Sequence, residues 1–233
     1  LSQYNSAIEI RSKKNETVNE LAKWSTVPVI NGMDHDRHPC QSMSDALTIL
    51  EHAGTLAGVT FAYVGDAAHP CNSLSTTLTK LGLNVRIGNA AGYEMAPDLV
   101  EFATRFAAEN GGSFLLTNDP LEAVAGADFI YTDCWWWTGQ EDEYRDRVDA
   151  FKPFQVNGEL WSHAKPETKF MHCLPATRGE EVTDEIADGP MSLIFPQAQN
   201  RMHFQKALML ALIGIDELPA DPDLRPIGEA LLS

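Results

Sequence analysis

From residue 55 onward the chain alternates short, evenly apolar runs with segments of helical period. The runs at 58–66 (GVTFAYVGD), 84–90 (NVRIGNA), 113–119 (SFLLTND), 128–134 (DFIYTDC) and 168–175 (TKFMHCLP) predict strands buried on both faces. Between them, 72–82, 96–112 and 120–127 predict helices, as do 141–151, 157–164 and 200–214. Gly and Pro fall between the runs rather than within them. Alternating units of this kind predict an α/β fold, a doubly wound parallel sheet covered by helices on both faces. Residues 7–11, 16–25 and 27–32 predict one further strand–helix–strand unit, and 41–54 a long helix joining it to the main domain. The acidic, Pro-containing 216–233 reads as a surface tail.

In open parallel sheets, ligands bind beyond the carboxyl ends of the strands. The unusual residues fall there: GDAAHPCNS at 65–73, DCWWWTGQE at 133–141 and HCLPATRGEE at 172–181, with RHPCQ at 37–41 opening the joining helix. Four polar, Cys- or His-bearing loops therefore converge on one crevice. Three consecutive indoles, Trp135 to Trp137, cannot all enter one core.

Composition narrows the partners. Among 233 residues, 33 are acidic and 17 basic, a formal net charge of -16, which disfavours nucleic acid and anionic membrane. No apolar run approaches the ~20 residues of a membrane span. Four cysteines without framework spacing suggest a reduced, cytoplasmic setting. They also lack a chelating pair, so no metal is expected, and 64–73 lacks the glycine pattern of a dinucleotide site.

Residue chemistry leaves several roles open. His38 and Gln41 lie three apart at a helix start, where they either face an anion or cap the helix. Pro175 ends a strand and leaves the carbonyls of Cys173 and Leu174 free, while Cys173 is either a buried structural thiol or a nucleophile. Placing a helix start at 200 puts Arg201 in a first turn, where a cation is unfavourable unless an external anion offsets it. Arg11 enters the domain junction, facing either that anion or a surface partner.

In order and spacing, RHPCQ, YVGDAAHPCNSL, TDCWWWTGQEDE, FMHCLPATRGEEVTDE and FPQAQNRMHFQKAL resemble the aspartate/ornithine carbamoyltransferases, most nearly the ornithine enzymes. The resemblance covers nearly the whole chain. It implies a two-domain enzyme, trimeric or built from trimers, that moves the carbamoyl group of carbamoyl phosphate to an amine without metal or organic cofactor. Residues 1–37 would then be the end of a carbamoyl-phosphate domain, 38–54 an interdomain helix, 55–200 the amine-binding domain and 201–215 a closing helix. The Ser-x-Arg-Thr-type phosphate loop of the family's first half is not in this sequence, which suggests a fragment. Its absence also motivates an alternative, an inactive homologue serving as a small-molecule-binding or partner subunit.

Carried over by position, Arg11, His38, Gln41, Arg201 and the carbonyls of Cys173 and Leu174 would hold carbamoyl phosphate, with His38 and Arg201 catalytic. Asp133 and Cys173 would face the amine. The second-substrate loop departs from the family: Trp137 and Thr138 stand where the ornithine enzymes have Ser-Met. His69, or Asn72 in a shifted alignment, replaces an ornithine-contacting Asn. An acceptor other than, or in addition to, ornithine is the expectation.

Overall fold

The computed structural model describes residues 1–67, 69–137 and 139–214. Thr138 and the proposed tail at 216–233 lie outside the described residues.

The main domain is a five-stranded, wholly parallel sheet in the order β5-β4-β3-β6-β7. Its strands are β3 (Thr60–Val64), β4 (Asn84–Gly88), β5 (Ser113–Thr117), β6 (Phe129–Thr132) and β7 (Lys169–His172). Alternate residues feed two cores. Phe61 and Tyr63 of β3, Phe129 and Tyr131 of β6 and Met171 of β7 point to one face. Ala62, Val64, Ile130 and Phe170 point to the other. The first face is covered by α2 (Pro39–Ala53), α3 (His69–Lys80) and α4 (Pro97–Asn110). The second is covered by α5 (Pro120–Val124), α6 (Tyr144–Phe151), α7 (Gly158–Trp161) and α8 (Asp184–Ala187). Burial on both sides explains why these strands read as continuous apolar runs.

Chain order runs β3-β4-β5 to one side and β6-β7 to the other, so the winding reverses between β3 and β6. That switch point opens a crevice at the carboxyl ends of the two strands. Gly65 makes it narrow: its φ is +134, and a Cβ there would stand 3.2 Å from Thr132 Oγ1 and 3.8 Å from the Trp135 ring. A Cβ would crowd Thr132 and strain the backbone at this φ, while its contact with the Trp135 ring would be an ordinary one.

A separate parallel pair, β1 (Ile8–Arg11) and β2 (Val29–Met33), is connected by α1 (Asn15–Trp24). The closing helix α9 (Ile194–Leu212) packs along α2 and against β7. Sequence periodicity placed its start at residue 200, six residues late. Pro196 occupies the first turn of this helix, where the backbone N–H has no intrahelical acceptor and proline is tolerated.

Candidate active site

The turn before α2 is fixed by Asp34. Its Oδ1 accepts the backbone N–H groups of Asp36 and Arg37, both at 2.8 Å, and its Oδ2 accepts from Asn15 (2.6 Å) and Asn31 (2.7 Å). Burial pushes this carboxyl upward, and the four hydrogen bonds outweigh it, leaving the pKa below the ordinary value. His38 follows at the helix start. Its backbone N–H donates to Ser73 Oγ at 2.8 Å, while its side chain makes no capping bond, which removes the capping alternative. Nδ1 of His38 is buried without a partner. Burial, then the charges of Arg201 and Arg11, depress the imidazole to about 4. His38 is therefore neutral at physiological pH.

At the switch point, Asp66 and the Trp loop are joined by one arginine. Arg147, from α6, pairs with Asp66 Oδ2 and donates from Nε to the Trp135 carbonyl at 2.6 Å. Its guanidinium lies 4.9 Å from the Tyr93 ring centre and 5.7 Å from that of Trp137. Burial raises Asp66 to about 6 despite the adjacent guanidinium. The three tryptophans separate accordingly. Trp135 is 2% exposed and belongs to the core. Trp136 donates from Nε1 to Glu180 at 3.2 Å and meets Tyr144 edge-on. Trp137 faces the cleft, its ring 4.5 Å from that of His69.

Beyond β7, Leu174 adopts φ +63 before a cis bond to Pro175. Among the described residues, no donor reaches the carbonyls of Cys173 and Leu174. The Cys173 thiol donates to Asp133 Oδ1 at 3.0 Å. Burial, then the Asp133 charge, push that thiol far above its ordinary value, so it is no nucleophile.

Arg201 stands in the third turn of α9, not the first, because the helix begins at Ile194. The helix dipole therefore says nothing about it. Its Nη1 donates to Gln41 Oε1, and its Nε is buried without a partner. One donor is thus held by the protein, while another has no protein partner among the described residues.

Arg11, His38, Gln41, His69, Asp133, Trp137, Cys173, Leu174 and Arg201 all line a single cleft of about 1010 Å³. Lys13 from the β1 end and Asp34 complete the side where Arg11 and Arg201 concentrate positive charge. Asn72 lines a different, smaller cavity of about 320 Å³, separated by His35, His69, Trp137 and Gln140, which face both spaces. Its amide donates to the Asp36 carbonyl. Of the two candidates in that loop, His69 is the one presented to the cleft.

Linear spacing hid a possible metal grouping: ligand atoms of Asp133, Cys134 and His172 lie within 4.8 Å of one another. Other bonds already engage them, since Cys134 Sγ donates to the Pro175 carbonyl and His172 Nδ1 accepts from Leu174 N–H. Burial, then the neighbouring Asp133 charge, hold the Cys134 thiol far above its usual value, which opposes the thiolate a metal needs. Sequence reading missed Asp45, Arg147 and Gln197. Asp45 carried a signal, four residues after Gln41 on one helix face. Gln197 carried none, being placed before the helix.

Residues 1–51 match the carbamoyl-P binding domain of aspartate/ornithine carbamoyltransferases, and residues 57–212 match the Asp/Orn binding domain. Ornithine carbamoyltransferase of Thermococcus kodakarensis is 50% identical over 214 residues, which are 92% of this chain and 68% of that protein. That of Bacillus subtilis is 49% identical over 213 residues, 91% of this chain and 67% of its own length. The solved structure of ornithine carbamoyltransferase from Pyrococcus furiosus superposes with a TM-score of 0.89 at 48% identity, covering 93% of this chain and 69% of that one.

Proposed function

Because this chain belongs to the aspartate/ornithine carbamoyltransferase family, we propose that it moves the carbamoyl group of carbamoyl phosphate to the amine of an amino acid of ornithine type, or of a related amine, and releases phosphate. The observation that carries this reading is the convergence of Arg11, His38, Gln41 and Arg201 with the free carbonyls of Cys173 and Leu174 in one cleft. The relatives it matches are named as enzymes, and nothing in them favours an inactive homologue.

In this mechanism the arginines hold the phosphate and neutral His38 donates to the carbamoyl oxygen as charge develops on it. Donors placed in advance for that oxyanion lower the barrier without reorganisation. The two carbonyls accept from the carbamoyl NH₂ and orient the carbon for attack. A neutral amine attacks, the tetrahedral intermediate collapses, and the C–O bond to phosphate breaks. The amine's excess proton leaves with the departing phosphate. Asp133, restrained by the Cys173 thiol, holds the incoming amine.

The acceptor is the finer part of the proposal. With His69 and Trp137 at positions where the ornithine enzymes carry Asn and Ser, the pocket offers an aromatic wall in place of small polar partners. Loss of such partners changes discrimination by ~10²-fold or more. A shorter, aromatic-compatible or N-acylated amine fits this wall. The test is phosphate release and ureido product formation from carbamoyl phosphate with a panel of amines, using the full-length protein. Carbamoylation of none of them rejects the transferase reading; clear preference for unmodified L-ornithine rejects only the altered acceptor.

A further inference from the structure

A fully buried carboxyl group lies behind the cleft without lining it. Asp45, on α2, has no exposed surface. Its Oδ1 accepts from Gln41 Nε2 at 2.8 Å and from Gln197 Nε2 at 2.7 Å; its Oδ2 accepts from the Tyr131 hydroxyl at 3.1 Å. Each partner leads to a different wall of the cleft. Gln41 accepts from Arg201 through its other amide atom. Gln197 accepts the backbone N–H of His172 at 2.9 Å, the last residue of β7 before the Cys173–Leu174 turn. Tyr131 lies two residues before Asp133 on β6.

Burying a carboxylate without a directly paired cation is costly, and cores normally avoid it. Burial raises this carboxyl to about 7, against the pull of its three hydrogen bonds and the more distant Arg201. A hydrophobic residue here would strand the Gln41, Gln197 and Tyr131 donors, so the carboxylate organises the groups around it. Two of its three arms pass through glutamine amides. An acceptor on Nε2 polarises the amide and strengthens its oxygen as an acceptor for the next donor. Through these arms the carboxyl group reaches Arg201 and the β7 turn without entering the cleft.

We propose that Asp45 is a positioning residue for the transfer reaction, a hub that orients Arg201 through Gln41 and the Cys173–Leu174 turn through Gln197. The proposal rests on the carbamoyltransferase reading above. It accounts for the hold on Arg201 Nη1 by a glutamine that is itself anchored on Asp45.

The experiment measures kcat and both KM values for the wild type, Asp45→Asn, Gln41→Met and the double variant, together with thermal melting. Asn keeps an oxygen for the glutamine amides and removes the charge. The expected result for Asp45→Asn is a kcat/KM for carbamoyl phosphate lowered roughly tenfold, as for a hydrogen bond to a charged group. The amine KM should stay within about threefold, a range that a surviving amine pocket allows. Because Asp45 acts partly through Gln41 and partly through Gln197, the double variant should lose less than the sum of the two single losses. Wild-type kinetics in Asp45→Asn, or fully additive losses, overturn the proposal. If Asp45→Asn does not fold, Tyr131→Phe withdraws one donor from the same carboxylate; a roughly three- to tenfold loss of the same parameter is expected, and no loss overturns the hub. A wild type that carbamoylates no amine rejects the underlying reading instead, so the two failures are distinct.

Discussion

The ring of His69 meets Trp137 edge-on, with centroids 4.5 Å apart and planes at 83°. The pair forms the partition between the main cleft and the smaller cavity beside it, since both residues line both spaces. Arg147 fixes the partition from behind, over the Trp137 ring.

This partition predicts an acceptor switch. His69→Asn with Trp137→Ser restores small polar groups at both positions and should raise kcat/KM for L-ornithine by ~10- to 100-fold. The carbamoyl-phosphate KM should not move. Each single variant should achieve less than half the logarithmic gain, because the two rings act as one contact. Steady-state kinetics on the four proteins measures this, and a double variant with unchanged ornithine kinetics removes these residues from the specificity account.

His38 predicts acid sensitivity with a defined sign. Its folded pKa, about 4, lies below the ordinary 6.5. Below pH 6.5 the unfolded chain binds a proton that the folded protein refuses, so stability falls as pH drops through 6.5 towards 4. The contribution is nil at pH 7.5 and about 2 kcal/mol of lost stability at pH 5. In His38→Gln this loss is absent. Urea unfolding of both proteins at the two pH values gives the difference directly. His38→Gln and His38→Ala should also lower kcat by ~10²-fold or more, the usual effect of removing an oxyanion donor.

The Arg147–Asp66 pair is nearly inaccessible, with side chains 5% and 8% exposed. Arg147→Met leaves a buried carboxylate alone and should cost about 3–5 kcal/mol in urea unfolding. In the folded fraction, the freed Trp135 carbonyl and Trp137 ring loosen the acceptor wall. The amine KM should therefore rise while that of carbamoyl phosphate holds. Equal changes in both would show that Arg147 supports the fold alone.

The thiols predict inertness. Burial holds Cys71, Cys134 and Cys173 above the ordinary thiol range, and the Asp133 charge adds to this for all three. Iodoacetamide at pH 8 should label them at least ~10-fold more slowly in the folded than in the unfolded protein. Mass spectrometry of labelled peptides locates the modification. Fast labelling at Cys173 would return it to consideration as a nucleophile.

The sequence alone determined the parallel sheet, the strand-end loops and most residues that meet in the cleft. Continuous apolar runs are a local consequence of burial on both faces, and the ends of such runs are visible without the fold. The separate fates of the three tryptophans were not visible, because adjacent residues share a local pattern and differ only in what approaches them across the sheet. Trp135 is buried in the core where it stacks on Phe151, and Trp137 faces the cleft, flanked by His69 and Arg147. Arg201 was placed in a first turn because the helix was started at 200; tertiary structure replaced that dipole argument with a partner, Gln41. Asp45 shows the same limit most clearly. Its α2 neighbour Gln41 is four residues away, but Gln197 lies 152 residues along the chain. Only folding decides that these amides share one buried oxygen, because hydrogen bonds between distant segments leave no periodic trace in either.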